Sequence, residues 1–166
     1  MVSADPSCDG EGDVLRGRQA LLLLTLAVLR SASAHADADT IGYVRTLAGT
    51  ATVTPAGDSA ARPVGIAMPV HERDRVETGP NGRIGITFRD DTRIALGPNS
   101  RLDLARFVFR PAENEYGFIL RLGYGTLHYL SGLTAKLAPD AISIETPGST
   151  IAVRGTRLLI RAEQQP

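Results

Sequence analysis

Tryptophan is absent from this chain of 166 residues, and only four tyrosines, four phenylalanines and one cysteine are present. Cys8 lies upstream of the main apolar run, so it can be neither a lipoprotein anchor placed after that run nor half of a disulfide in the domain that follows. That domain must be held by core burial alone, which about 130 residues can supply. An excess of charge of either sign is also lacking, with 18 basic residues against 18 acidic ones. No net field therefore draws the chain to nucleic acid or to anionic lipid, and a nucleic-acid partner is not expected. The apolar run from Ala20 to Leu29 falls well short of the ~18 to 20 residues a membrane-spanning helix needs, so no transmembrane helix is expected in the mature chain. The length suits one domain with a targeting segment rather than two domains.

Around the apolar run the order of residues is that of a secretory leader. Arg16 and Arg18 precede it, and Ser31-Ala32-Ser33-Ala34-His35-Ala36 follows it. Ala34-His35-Ala36 satisfies the A-x-A cleavage rule and places the cut between Ala36 and Asp37. The expected organisation is a signal peptide over 1–36 and one domain over 37–166, residing in the periplasm or secreted. The first thirteen residues are acidic where a leader is ordinarily basic, and translation from Val14 in place of Met1 would give a leader of ordinary length.

Glycine and proline, 17 and 10 residues, punctuate the chain often and suit short strands joined by turns. From Ile41 onward apolar residues alternate with polar ones. Ile84, Ile86 and Phe88 share a face against Arg83, Thr87 and Arg89; Ile94 and Leu96, then Leu102 and Leu104, repeat the pattern. Further strands are expected at 42–46, 50–54, 106–110, 118–122, 126–130, 141–145, 151–153 and 157–161. Turn formers arrive about every 8 to 12 residues, as in all-β sandwiches, barrels or stacked hairpins. The fold class expected is all-β, with short strands and hairpins in an irregular stacked, solenoid-like or sandwich-like domain. Residues 55–69 read as an exposed loop with a short extended piece at 64–67, and no amphipathic helix stands out after residue 40.

Chemistry-bearing patterns are few. Gly123-Tyr124-Gly125 lacks the third glycine and the helix of a phosphate loop, and no G-x-S-x-G elbow occurs. His71 and His128 are far apart and have no cysteine to join them as metal ligands. His71-Glu72-Arg73-Asp74-Arg75 reads as a self-neutralised surface cluster, and Asp90-Asp91 as an acidic turn. No catalytic, metal or cofactor site is expected, and the chain is read as a non-enzyme.

One ordered set of motifs is more specific: Asp74-Arg75-Val76-Glu77-Thr78-Gly79, Phe88-Arg89-Asp90-Asp91-Thr92, Leu96-Gly97-Pro98-Asn99-Ser100, Gly125-Thr126-Leu127, and Thr146-Pro147 followed by Val153-Arg154-Gly155-Thr156. In this order, over about 70–160, they resemble the FecR domain family, named for a ferric citrate sensor and sigma-factor regulator. The resemblance implies an all-β domain exposed to the bacterial periplasm, often solenoid-like. In the founding regulators a cytoplasmic helical region touches the sigma factor and the carboxyl-terminal region meets a TonB-dependent receptor. A leader in place of that helical region points to a stand-alone FecR-like binding or sensing module, its partner an envelope protein or polymer. The alternative is a regulator of such a receptor pathway acting through a separate membrane partner. Thr146, Pro147, Arg154, Gly155 and Thr156 are taken as mainly structural, Arg154 tying strand carbonyls or a carboxylate such as Glu145.

Overall fold

The computed structural model describes residues 40–154 and 157–164, all within a compact unit spanning Ala38–Pro166. The expected leader with its cleavage site at Ala36 and Asp37 lies outside the described residues, as do Gly155 and Thr156.

Alternating apolar residues put one face of nearly every segment out of water, and strands are what results. In chain order they are β1 (Thr40–Ala48), β2 (Ala51–Thr54), β3 (Arg62–Pro63), β4 (Pro69–His71), β5 (Arg75–Thr78), β6 (Arg83–Phe88), β7 (Arg93–Leu96), β8 (Ser100–Arg110), β9 (Glu115–Leu130), β10 (Ile142–Thr146), β11 (Ser149–Ala152) and β12 (Arg157–Ala162). One helical turn, α1 (Thr134–Leu137), and a 3₁₀ turn at Pro139–Ala141 bridge β9 to β10. The fold is all-β.

The strands form one continuous sheet in the order β3-β2-β5-β8-β9-β7-β6-β1-β4, and β9 also carries β10 and β12. Strand β9 is the shared member. Its first part, Glu115–Tyr124, lies between β8 and β10, and its last part, Gly125–Leu130, between β7 and β12. All pairings are antiparallel except β9 with β10. The result is two half-sheets, β4-β1-β6-β7-β9-β12 and β3-β2-β5-β8-β9-β10-β11, curled about a common core.

The core residues come from the inward positions of both halves. Ile84, Ile86, Phe88, Ile94, Leu96, Leu102, Leu104, Ile142, Ile144 and Val153 are buried as the period of two predicts, while Ile151 is only partly so because β11 is an edge strand. Phe88 of the first half stacks on Phe107 of the second at 5.5 Å and meets Phe118 edge-on at 4.9 Å. Such aromatic contacts add about 0.5–1.5 kcal/mol each beyond the area they bury, and they join the halves.

Several local expectations change. The strands expected at 118–122 and 126–130 are one strand, which bends at Gly125 instead of ending. Extension in the loop comes at Arg62–Pro63, paired with β2, while Ala67 takes φ +64 in a turn. Strands β4 and β5 arise in the charged stretch read as surface, because Asp74 is buried at 3% exposure between them.

Candidate functional site

The motifs that stand far apart in sequence meet in space through side-chain hydrogen bonds. Thr78, closing β5, accepts from the backbone N–H of Ser100 at 2.9 Å and donates to the Gly97 carbonyl at 2.7 Å. The Ser100 hydroxyl in turn accepts from Thr126 N–H at 2.9 Å and donates to the Pro98 carbonyl at 3.2 Å. Opposite Ser100 stands Gly125 at φ +99, where a Cβ would run into the Ser100 side chain and Cα. Only glycine suits a position that combines this φ with so close an approach. Three motifs thus form one latch at the bend of β9.

Two buried aspartates tie the remaining turns. Asp74 accepts from His71 N–H at 2.8 Å and Ala56 N–H at 3.2 Å, and its carbonyl receives Leu104 N–H. Asp90, fully buried, accepts from Thr92 N–H at 3.0 Å and from the hydroxyls of Thr92 and Thr134 at 2.7 and 2.6 Å. Through Thr134 it pins α1 to the β6–β7 turn. A buried carboxylate persists only when its oxygens are occupied in this way. Beside it the Tyr129 hydroxyl is buried and has no hydrogen-bond partner among the described residues. Burial pushes that hydroxyl up to about 12, the Asp90 charge adding to the shift and the nearby Thr92 opposing it.

Of the residues singled out near the carboxyl end, the described ones are on the periphery. Thr146 donates to the Ser149 carbonyl at 3.1 Å, closing the β10–β11 hairpin around an exposed Pro147. Arg154 pairs with Asp140 at 2.8 Å, both side chains more than three-quarters exposed. It does not reach Glu145, whose carboxylate is held by Arg121 at 2.6 Å.

What no single motif reveals is how charge is distributed over the two outward faces. On the second half-sheet one row crosses the strands as Thr54, Arg75, Asp103, Arg121, Glu145 and Thr150. Its signs alternate, with Arg75 on Asp103 at 2.6 Å and Arg121 on Glu145. The hydrogen bonds from these carboxylates, more than their charge, raise both guanidinium pKa values above the ordinary one. In the next row Arg101 bonds Glu77 at 2.5 Å and lies 5.8 Å from the Tyr124 ring.

The outward face of the first half-sheet has no such pairing. Its central row is Thr46, Gly85, Ala95, His128 and Leu159. Arg93 and Arg157 share the row on one side, across Leu130; Arg83 lines the other side with Gly97 and Thr126, and Thr126 pairs with Arg161. Arg45 stands out from the β1 bulge. None of these five exposed arginines has a carboxylate within ion-pair distance among the described residues. The one carboxylate lining the depression by Arg45 and Arg93 is Asp91. Two depressions of about 560 and 530 Å³, sharing Thr46 and Ala95, run along the row. The alternation of Arg83 and Arg93 with apolar neighbours was visible in sequence. The strand order that sets them beside Arg157 and Arg161 was not.

A third concavity, about 470 Å³, opens beside His71, Glu72, Arg73, Arg89 and Arg110. His71 Nδ1 lies 3.5 Å from Asp74, and Glu72 accepts from Phe107 N–H at 3.2 Å.

These features define a class: a small all-β domain whose polar motifs are internal latches and whose exposed variety lies on its outer faces. Residues 74–166, more than half of the chain, match the family described as FecR protein, and the chain belongs to that family. The match opens on Asp74, the buried carboxylate of the first motif. Among solved structures, a chain described as a cell surface anchoring domain is similar at 27% identity, covering 40% of this chain and 87% of that one with a TM-score of 0.39. No curated protein matches. No helix among the described residues is long and apolar enough to cross a membrane.

Proposed function

We propose that this chain is a non-enzymatic binding module of the bacterial cell envelope, exported by a leader cut between Ala36 and Asp37 and working in the periplasm or outside the cell. The observation that carries the binding reading is the arginine face of the first half-sheet, since five charges with no ion-pair partner among the described residues are groups left for another molecule. Membership of the FecR family supports the envelope setting. The non-catalytic reading is supported by the concavity beside His71, whose named lining offers no hydroxyl, thiol or amine nucleophile to the imidazole.

The test is site-specific photo-crosslinking in living cells. A crosslinker at Ala95 captures an envelope protein or polymer from the non-cytoplasmic fraction, while one at Ser143, on the opposite half-sheet, does not. A chain that stays in the cytoplasm with residues 1–36 attached overturns the export reading, and equal silence at both positions overturns the binding one. Family membership also favours a second reading, regulation of a sigma-factor pathway through a separate membrane partner. Under it, deletion of the chain alters sigma-dependent transcription.

A further inference from the structure

The whole molecule balances its charges, but its surface does not. Carboxylates gather where arginines of the second half-sheet meet them, so the two rows through Arg75, Asp103, Arg121 and Glu145 and through Glu77 and Arg101 are neutral, Arg106 standing apart in the next row. The first half-sheet keeps Arg45, Arg83, Arg93, Arg157 and Arg161, none ion-paired among the described residues, with Asp91 lining the depression at one end and Glu163 following β12 at the other. The geometry is that of a trough. Its floor is the row Thr46, Gly85, Ala95, His128 and the exposed Leu159, low at Gly85, which has no side chain and lies under the Thr46 hydroxyl. Residues four apart on β6 set its two arginine banks about 13 Å from each other at the backbone, and within one bank Arg93 and Arg157 are two strands, or about 10 Å, apart.

We infer that this trough binds an extended acidic polysaccharide, its carboxylates taken by the four bank arginines and its hydroxyls by Thr46, Thr87, Thr126 and His128. Guanidinium is the side chain best matched to a carboxylate, binding it through two parallel N–H donors. The threonines of the floor and banks present hydroxyls to a ligand that is itself rich in hydroxyls. The floor and banks carry no phenylalanine, tyrosine or tryptophan among the described residues, Tyr43 standing beyond them on β1, so a run of large rings on which successive bases of single-stranded nucleic acid stack is missing. An acidic polypeptide laid across the trough would leave its backbone N–H and C=O groups facing a floor with few partners. A concave surface also fits a chain better than a flat lipid headgroup layer.

The proposal deepens the binding-module reading and rests on it, and the two fail separately. Purified protein is titrated with polygalacturonate oligomers, with neutral dextran, polyglutamate, single-stranded DNA and vesicles containing phosphatidylglycerol as the comparison arms. Polygalacturonate binds most tightly and dextran not at all, and raising salt from 50 to 200 mM weakens binding at least ~10-fold as counterions compete for the arginines. Arg93→Gln/Arg157→Gln and Arg83→Gln/Arg161→Gln each lower affinity ~10-fold or more with thermal midpoints unchanged. Arg75→Gln/Arg121→Gln removes the same net charge from the paired face and shifts affinity less than ~2-fold. Equal losses in the two sets of variants, or tighter binding of polyglutamate, DNA or vesicles, overturn the proposal. Absence of polygalacturonate binding with Ala95 crosslinking intact also overturns it, while the binding-module reading stands.

Discussion

At the scale of single residues, the informative side chains are polar ones the core has taken in. Asp90 holds three donors, two of them hydroxyls whose protons would be left without an acceptor if it were removed. Asp90→Ala therefore costs roughly 3 kcal/mol in urea unfolding, whereas Asp91→Asn, at an exposed position with φ +63 that Asn tolerates, stays within about 0.5 kcal/mol. Arg154→Ala should likewise change stability by less than about 0.5 kcal/mol, since its partner Asp140 is as exposed as it is. Loss of partner capture by that variant would give Arg154 a recognition role. The buried Tyr129 hydroxyl sets an alkaline limit. With a folded pKa of about 12 against 10 unfolded, the folded state holds its proton more tightly, so the contribution is complete below pH 10 and lost as pH climbs through 12. Tyr129→Phe is expected to flatten stability against pH in that window and to be neutral or stabilising by up to about 1 kcal/mol below it, as followed by denaturant titration. Sequence marked Asp74 as part of a charged surface cluster near a turn and Asp90 as an acidic turn, and stopped there. A turn former and a buried turn anchor have the same local signature, and only packing from distant strands separates them.

At the scale of elements, period-two alternation was enough to place β6, β7 and β10, and β8 as two pieces, and to name inward residues of each, because a one-residue slip would have exposed a whole apolar set. It was not enough to find β4 and β5, whose charges suggested solvent, nor to see that β9 runs through Gly123-Tyr124-Gly125. Glycine in a strand reads as a break when only neighbours in sequence are known. Here it permits a bend, with the register against β8 shifting between Arg101 and Leu102. Gly125→Ala puts a methyl group into Ser100 and forces an unfavourable φ, so it should destabilise by about 3 kcal/mol or more and weaken β8 and β9 together. Hydrogen exchange would show this as faster exchange on both sides of the bend, and a loss confined to one strand would contradict the latch.

At the scale of the whole molecule, the all-β class and the family were legible in the sequence, because both depend on local pattern and motif order. The charged trough was not legible, since equal totals of acid and base hide their separation and strand order alone reveals it. The same strand order has a mechanical consequence. Strand β9 is bonded to β8 and β10 along one stretch and to β7 and β12 along the next, so neither half-sheet keeps its hydrogen-bonded neighbour if the other is stripped away. Partners of this one strand come from residues 93 to 162, and the two halves cannot act as independent links in series. Pulled from its ends in a single-molecule experiment, the domain should bear load up to one rupture and then extend in a single step, where two separable halves would give a sawtooth of two. Under load the domain would then either hold its shape or lose it entire.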